Sequence, residues 1–561
     1  MTMLLTEAGS TLGRRLHRMA SFGAFFVVWG TFILTASLDA GAHGDQWYHL
    51  ESIQMSVLEH EILQDPQHSY NGLYFIPGYL VIASHSLRYA PAILDELIHH
   101  SGIRFDEAQL PTLARWKQAM LRLLSSNTYQ RHVRFVFTLM ASFAIAWVFL
   151  TILRLFPGHH LAAAAAASFL GLSWELSQRA RTIEVDSIQM QFVALQLYCI
   201  ASALSARGRA AALAWTAAVG GAAGLIIGCK ISGILSLLPI FGLVGLVSFW
   251  PGPQRLLLLG ASLMTSALAL HTVNPSSFRD PLRSLFAPIA LGHDYASVTP
   301  GHPAYVEVPF EHLLRVAQWA LLAVPSSNVL LAGAMSVLIC AGGLWLLRRR
   351  KHFALLALVY PVLLVLTLSR MHLLQLRNYT QLMPLLALAF GAAIAMLMVR
   401  FSPRRHGRAV IGAFVAAVAL FNAGWLIHTD RSARDTTRAS ILADVRDYID
   451  RSDYHLWLSP RLHENLGSWA QAGYACTRDP TANAEATADR VLMYYTDQHP
   501  RRWTMYRMGW VERTFGPLDI NYDWYSTAKD RLEHHRVVLM TERHAGAMQV
   551  AYRSFFNCQR R

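Results

Sequence analysis

Long apolar runs separated by short, Arg-rich polar segments dominate the chain up to about residue 427. The runs are of membrane-spanning length or slightly short of it. They fall at about 20–38, 133–155, 161–177, 188–205, 211–228, 231–250, 255–272, 325–347, 353–369, 380–399 and 409–427. Each run predicts one membrane helix, so residues 1–427 are predicted to form a mainly α, polytopic transmembrane domain with about eleven spans.

The basic residues support this topology. With the N-terminus in the cytoplasm, the clusters at 14–18, 154–160, 207–209, 255, 348–351 and 400–408 all fall on the inner side. The first cluster and the run behind it resemble a signal peptide without a clear cleavage site, which favours a retained signal anchor. Residues 39–130, the loops around 178–187, 273–312 and 370–379, and the tail from His428 are then extracytoplasmic.

The first outer loop, residues 39–130, contains apolar pieces that are shorter than a span. The segment 75–83 is too short to cross a bilayer, and residues 90–124 have helical spacing. We interpret both as interfacial helices lying on the membrane. The alternative is a genuine span at 73–88, which would change the parity and bring Arg88 to Arg122 inside.

From about residue 428 the apolar runs shorten, and Arg, Asp, Trp and Tyr become frequent. This change predicts a separate soluble extracytoplasmic domain of α/β or α+β type over residues 428–561. Within it, 444–450 has helical spacing, 491–495 and 537–540 are typical of buried strands, and 548–553 alternates like a hairpin partner.

Composition excludes several classes of protein. Hydrophobic residues make up 53% of the chain and charged residues 15%, with a positive mean hydropathy. The net charge of +14 lies in short clusters between spans rather than in one stripe, so we predict no nucleic-acid partner. The chain has no P-loop, dinucleotide fingerprint, HExxH or paired CxxC.

The five cysteines divide into two groups. Cys199, Cys229 and Cys340 lie in apolar runs and are interpreted as small packing residues. Cys476 and Cys558 lie in the polar C-terminal region, and an extracytoplasmic position would allow them to form a disulfide.

Polar residues at the outer ends of the spans are the candidates for chemistry. The first group follows the first span and contains Asp39, His43, Asp45, His49 and Glu51. Its acidic and aromatic residues make Asp45, which is followed by Trp47 and Tyr48, our candidate general base. An isolated acid such as Asp39 is more often interfacial than catalytic.

Four further groups supply cations and hydrogen-bonding residues. They are the loop with Arg179, Arg181 and Asp186, the Gly-rich segment with Lys230, the segment with Arg370, Arg377 and Tyr379, and the 273–312 loop with His293, Asp294, His302 and Glu307. An ion pair inside their loop would explain Arg179, Arg181 and Asp186 as well as a contact with substrate would. The histidines of the 273–312 loop are interpreted as surface residues.

An outer carboxylate combined with outer cations suits an anionic lipid head group. If a sugar is linked to a polyprenyl phosphate, Lys and Arg would hold the phosphate leaving group. The carboxylate would deprotonate an incoming hydroxyl.

In this arrangement the chain resembles the GT-C superfamily of membrane glycosyltransferases, particularly the protein O-mannosyltransferase and lipid A aminoarabinose transferase branch. Over residues 20–400 five segments resemble that family's motifs, in order. They are Gly44-Asp45-Gln46-Trp47-Tyr48-His49, the Pro-containing 75–80, Ser177…Arg181…Asp186, Gly224…Lys230-Ile-Ser-Gly233 and Arg377-Asn378-Tyr379…Pro384. The resemblance implies a GT-C-like fold.

The resemblance also implies roles for individual residues. Asp45 would be the catalytic base, and Lys230 and Arg377 would contact the phosphate of the lipid-linked donor. Beyond the resemblance, we add Arg179 and Arg181 as candidates for the donor phosphate and Tyr48, His49, Asp186 and Tyr379 as candidates for substrate binding. Gln46 stands where the family usually has a second acid, so we predict no bound cofactor, although a divalent metal remains an alternative.

The sequence therefore predicts a multi-pass glycosyltransferase of a bacterial inner membrane with a periplasmic C-terminal domain. It would use a polyprenyl-phosphate sugar and a membrane lipid environment, with an envelope glycan, lipid or protein as acceptor. Two alternatives remain open: a transporter or flippase of a lipid-linked glycan, and a non-catalytic scaffold with the same fold. No internal repeat of the kind seen in transporters is present.

Overall fold

A computed structural model describes most of the predicted membrane region and five short strands of the C-terminal region. The described residues are 2–35, 44–59, 72–99, 110–124, 127–181, 183–246, 254–274, 307–372, 374, 376–401, 405–435, 456–458, 474–479, 491–494, 537–540 and 555–560. For some of them, including all residues of the strands, only the backbone is described.

Helices make up most of the described part. The α-helices are α1 Thr2–Thr35, α2 Gly44–Glu59, α3 Ile76–Ser86, α4 Ala90–His99, α5 Pro111–Leu124, α6 Asn127–Leu155, α7 His160–Gly171, α8 Trp174–Arg181, α9 Val185–Leu204, α10 Arg209–Cys229, α11 Leu238–Leu246, α12 Arg255–Val273, α13 Phe310–Gln318, α14 Val329–Arg349, α15 Lys351–Leu368, α16 Met383–Phe401 and α17 Arg405–Asp435. Short 3₁₀ segments cover Gly72–Tyr74, Ile231–Leu237 and Leu376–Leu382, and a π-helical turn covers Trp319–Ala323.

Each of the eleven apolar runs coincides with helical structure. Among the described residues, eight helices are long and apolar enough to cross a membrane. Three shorter apolar helical segments cover the remaining runs, at Met19–Thr35, His160–Gly171 and Ile231–Leu246. The predicted fold class, a mainly α polytopic membrane protein, is confirmed.

Two segments differ from the simple pattern of one run and one span. The run at 161–177 divides, because α7 ends at Gly171 and α8 starts at Trp174. The Ser173 hydroxyl between them donates to the Val324 carbonyl at 3.0 Å, which holds the break inside the protein. At the alternative span 73–88 the helix α3 covers only 11 residues, about 16 Å, which is too short to cross the hydrocarbon core.

The chain divides into two compact units. The first contains residues 1–36, 62–77 and 135–428, and the second contains 37–61, 78–134 and 429–561. The first unit therefore contains nearly all of the apolar helices, and the second combines most of the first outer loop with the C-terminal region. The predicted boundary between 427 and 428 falls close to one of these divisions.

Close backbone contact between helices shapes the first unit. Helix α9 is buried along most of its length, and α10 packs against both α9 and α12. A Cβ atom added to Gly220 would lie 2.0 Å from the Ser262 carbonyl oxygen, and one on Gly224 would lie 2.1 Å from that of Ser266. Small residues let membrane helices approach in this way, and α10 and α12 are thereby held in direct contact.

A mixed sheet is formed by five strands of the C-terminal region. The strands are β1 Leu456–Leu458, β2 Tyr474–Asp479, β3 Val491–Tyr494, β4 Val537–Met540 and β5 Phe555–Arg560, in the order β2-β5-β1-β3-β4. β1 and β3 are parallel, and the other neighbours are antiparallel. The strands predicted at 491–495 and 537–540 are confirmed as β3 and β4. The segments 444–450 and 548–553 lie outside the described residues.

Candidate functional site

Lys230 occupies a sharp junction between two helical segments of the first unit. It follows α10 with an extended backbone, φ −158° and ψ 141°, and the 3₁₀ segment starts at the next residue. The Gly233 amide donates to the Lys230 carbonyl at 2.9 Å and closes the turn. A Cβ on Gly233 would lie 2.6 Å from the Ile226 carbonyl oxygen, so the turn requires glycine at this position.

The Lys230 amine joins three segments that are far apart in sequence. Nζ donates to Asn378 Oδ1 at 2.7 Å and lies 3.4 Å from Asp186 Oδ1. The Lys230 side chain is 14% exposed and that of Asp186 is 1% exposed. We call Asp186, Lys230 and Asn378 the amine cluster. Its carboxylate is buried, whereas its amine retains some accessible surface.

The local structure explains the position of Asp186. It lies in the first turn of α9, where unpaired backbone amides and the helix dipole favour a negative charge. The Thr380 hydroxyl donates to the Asp186 carbonyl at 3.3 Å. The 3₁₀ segment that carries Asn378 is therefore tied to the start of α9 by a second contact besides the amine.

Two buried glutamines lie next to the amine cluster. Gln189, one turn after Asp186, donates to the Ile226 carbonyl at 3.3 Å. Gln381 donates to the Gln189 side-chain oxygen, and both side chains are fully buried. The sequence analysis missed these two residues, and it quoted Asn378 in a motif without giving it a role. The signal that marks the glutamines is a polar amide inside or beside a membrane run.

His312 supports the same 3₁₀ segment from another helix. It lies on α13 and is fully buried. Its Nδ1 lies 2.9 Å from the Met371 carbonyl and its Nε2 lies 2.5 Å from the Tyr379 hydroxyl. A carbonyl only accepts, so Nδ1 carries the proton, and Nε2 accepts from Tyr379.

Burial lowers the pKa of His312, although the hydrogen bond to Met371 and the charge of Glu311 act in the opposite direction. His312 is the last residue of the 273–312 loop, and because it is fully buried the prediction of a surface histidine is wrong for it. Helix α13 turns this side chain against the segment that contains Tyr379. His293 and His302, the other histidines noted in that loop, lie outside the described residues.

The charged loop before α9 contains an internal ion pair. Arg179 lies 3.6 Å from Glu184, with the two side chains 12% and 1% exposed. The sequence suggested an ion pair inside this loop between an arginine and Asp186. Arg179 does form a pair inside the loop, but its partner is Glu184, and Asp186 pairs with Lys230. Arg181 is the last residue of α8, and only its backbone is described. Arg377 is half-buried, and its carbonyl accepts from the Thr380 hydroxyl at 2.9 Å.

In the second unit, two of the motif segments meet. His49 on α2 is fully buried, and its Nε2 lies 3.5 Å from the Tyr129 hydroxyl. A Cβ on Gly78 would lie 2.7 Å from His49 Nε2, so the Pro-containing segment packs directly against α2. Asp45 and Tyr48 also lie on α2, with Asp45 near its N-terminus, but their side chains are not described. Asp39 and His43 lie outside the described residues.

No metal site is evident in the part of the chain that the structure describes. Within those residues, no group of three or more His, Cys, Asp or Glu side chains is arranged to hold a metal ion. The acidic loop of the first motif is largely outside this part. The alternative of a divalent metal stays a prediction.

Comparison with known proteins gives matches at the level of structure. No protein-family model matches the chain, and no curated protein sequence matches it. The structure resembles that of ArnT from Cupriavidus metallidurans bound to undecaprenyl phosphate, with 13% identity, a TM-score of 0.48, and 96% of this chain and 97% of that chain covered.

The structure also resembles the archaeal oligosaccharyltransferase of Archaeoglobus fulgidus. The complex with Zn and sulfate gives 15% identity and a TM-score of 0.43, with 73% of this chain and 53% of that chain covered. The AglB complex with an inhibitory peptide and a dolichol-phosphate gives 13% identity and a TM-score of 0.44, with coverages of 74% and 56%. This chain thus spans about half of the length of the oligosaccharyltransferase.

Proposed function

We propose that this protein is a membrane glycosyltransferase that moves a sugar from a polyprenyl-phosphate-linked donor to an envelope acceptor on the extracytoplasmic side. The observation that carries the proposal is the amine cluster. Three of the sequence motifs, which supply Asp186, Lys230 and Asn378, meet at one partly accessible amine. Packing of the helices alone does not require a Lys at this meeting point, and a partly accessible amine is suited to an anionic ligand.

The charges around Lys230 favour a phosphate. Asp186 balances one positive charge and is itself almost inaccessible. Arg377 precedes Asn378 in the same 3₁₀ segment and is the second cation that we assign to the phosphate. Lys and Arg can donate hydrogen bonds to phosphate oxygens, and they stabilise the charge that develops on a leaving phosphate. We assign Lys230 and Arg377 to the donor phosphate, with Arg179 and Arg181 as further candidates.

The proposed reaction needs one base. The acceptor hydroxyl attacks the anomeric carbon, its proton passes to the base, and the bond to the phosphate oxygen breaks so that the phosphate leaves with the electron pair. We assign the base to Asp45 from the motif resemblance. The N-terminus of α2 favours the ionised carboxylate that a base requires. The same resemblance implies inversion at the anomeric carbon.

The other proposed substrate residues divide by accessibility. The side chain of His49 is fully buried and that of Tyr379 is nearly so, each with a hydrogen-bonding neighbour. We propose that these two residues orient their segments and so act on substrate indirectly. Asp186 positions the amine, while Tyr48 keeps its proposed contact with the sugar. The acceptor is an envelope glycan, a lipid or a protein.

Binding of a radiolabelled polyprenyl-phosphate sugar to the purified full-length protein in micelles tests the phosphate site. Lys230→Gln should weaken binding at least about tenfold, because one charge-assisted hydrogen bond is lost. Asp186→Asn combined with Lys230→Gln should do the same while leaving no unpaired buried charge. Lys351→Gln, which removes an exposed lysine at the start of α15, is the matched control. Unchanged binding in the double variant would contradict the phosphate assignment.

Transfer of the labelled sugar to envelope fractions tests the catalytic assignment. In membranes of equal expression, Asp45→Asn should lose at least about a hundredfold in transfer while still binding the donor, as expected for loss of a general base. Full transfer by this variant would remove Asp45 from the mechanism. Movement of lipid across the membrane without transfer by the wild type would favour a flippase. Neither activity, with the donor unbound, would favour a scaffold.

A further inference from the structure

The C-terminal sheet places two cysteines directly opposite each other. β2 and β5 are antiparallel, and their register pairs Cys476 with Cys558. The neighbouring pairs are Ala475 with Gln559 and Thr477 with Asn557, so the cysteine pair lies inside the ladder and not at its end. These are the two cysteines of the chain that follow the membrane helices.

Opposed positions of an antiparallel pair suit a disulfide bond. Their Cα atoms lie roughly 4.5–5.5 Å apart, and disulfides occur at Cα separations of roughly 4.4–6.8 Å. Residues opposite each other also share one face of the sheet, whereas a register slip of one residue would put the two cysteines on opposite faces. The backbone register therefore meets the main geometric requirement for a bond.

The other cysteines are placed differently. Cys199 and Cys229 are buried in α9 and α10, and Cys340 lies in α14. All three belong to helices of the first unit, whereas Cys476 and Cys558 both belong to the second. The second unit therefore contains two cysteines in its sequence, and the strand register places these two opposite each other.

We propose that Cys476 and Cys558 form an intramolecular disulfide in the mature protein. The bond would fasten the edge strand β2 to β5 and close a chain segment that contains β3 and β4. Edge strands with a weakly fixed register are prone to slip, and a covalent link in the ladder prevents this. Closing a long segment also restricts the unfolded chain.

The oxidation needs a partner that accepts two electrons. A disulfide-bearing thiol oxidase of the cell envelope supplies this chemistry. One cysteine thiolate attacks the oxidase disulfide, and the second thiolate then attacks the mixed disulfide. The protein disulfide forms, the oxidase leaves as a dithiol, and the two thiol protons pass to solvent and the reduced oxidase. The bond therefore requires the C-terminal region to be extracytoplasmic.

Thiol counting on the full-length protein tests the proposal. Cells are treated with N-ethylmaleimide before lysis, and the protein is then denatured, reduced and labelled with a maleimide-polyethylene glycol. Two labels should appear only after reduction. Cys476→Ser and Cys558→Ser should each abolish both reduction-dependent labels, and each should expose the other thiol to N-ethylmaleimide. Cys199→Ser, Cys229→Ser and Cys340→Ser should leave the two labels unchanged.

Two outcomes would overturn the proposal. The first is alkylation of both Cys476 and Cys558 in wild-type cells before reduction. The second is a reduction-sensitive dimer, which would mean a bond between two chains. The register itself is tested by Thr477→Cys with Asn557→Cys in a Cys476→Ser, Cys558→Ser background. This opposed pair should cross-link under mild oxidation, while Cys476 with Asn557→Cys and Cys558→Ser should not.

Discussion

The Lys230–Asp186 pair is a place where we expect a single substitution to have a large effect. A buried carboxylate without a partner is costly, whereas a buried ion pair contributes little net stability compared with neutral groups. The near-complete burial of Asp186 makes it dependent on the amine. The pair is therefore better explained by what the amine can bind than by a gain in stability.

This view predicts a difference between single and double variants. Lys230→Met should lower the free energy of unfolding by about 3–5 kcal/mol, because Asp186 stays buried without its counter-charge. Adding Asp186→Asn should recover a large part of that loss. Titration with a denaturing detergent, followed by circular dichroism, would measure both changes. Equal losses in the single and double variants would show that the charge of Asp186 does not depend on Lys230.

His312 predicts a pH dependence. Because burial lowers its pKa below the usual value of about 6.5, the folded state binds this proton less readily than the unfolded chain. The stabilising contribution is therefore complete above about pH 6.5 and falls as the pH decreases towards the lower folded-state pKa. Protonation would also replace the Nε2 acceptor of the Tyr379 hydroxyl with a second donor.

We therefore expect thermal stability and donor binding to decrease together below about pH 6.5. His312→Gln should remove the part of this dependence that comes from His312, because an amide does not titrate in this range. Thermal unfolding across pH 5–8 would show the difference, with His352, which is exposed at the start of α15, as the control position. If the loss of thermal stability at low pH were the same in His312→Gln as in the wild type, a group other than His312 would be responsible for it.

At the scale of elements, the contact between α10 and α12 positions the amine cluster. Gly220, Gly224 and Gly228 follow one another at four-residue intervals and so share one face of α10. Lys230 comes two residues after the last of them. Because the helices touch through their backbones, a shift of α10 against α12 would also displace the junction that carries the amine.

Gly224→Ala should accordingly destabilise the protein by roughly 1–3 kcal/mol, since the added methyl would overlap the Ser266 carbonyl. Gly221→Ala is a matched control in the same helix, because an added Cβ there meets nothing within 4 Å. The control should be neutral or stabilising by up to about 1 kcal/mol, as alanine favours helix. Unfolding in detergent would compare the two. The reverse ranking would contradict this packing.

For the whole molecule, the order of the spans predicts the side of each loop. With the N-terminus inside and about eleven crossings, we expect the C-terminal domain to lie outside. An alkaline phosphatase reporter, active only outside the cytoplasm, should be active when fused after Thr429 and inactive when fused after Arg207 or Arg349. An inactive fusion after Thr429 would remove the extracytoplasmic location, and with it the proposed disulfide.

Sequence reasoning found the positions of the membrane helices because twenty-residue apolar runs have few other stable structures. It failed where a run contained a break, as at Gly171 to Trp174, because that break is held by the hydrogen bond from Ser173 to Val324. Lys230 and Asp186 were identified because charges in or beside apolar runs are conspicuous. Gln189 and Gln381 were missed, Asn378 was given no role, and His312 was assigned to the surface, because neutral polar residues near span ends are common.

The sequence by itself determined the class of the protein, the order of its spans and the residues that stand out chemically. These follow from local properties: hydrophobic length, basic clusters and charges placed against the apolar background. The tertiary structure alone decided which of those residues are partners. Asp186 pairs with Lys230 rather than with the arginines of its own loop, and His312 reaches Tyr379 from another helix. Such contacts depend on how the helices pack, and helix packing is set by shape and close backbone approach, which no single segment encodes.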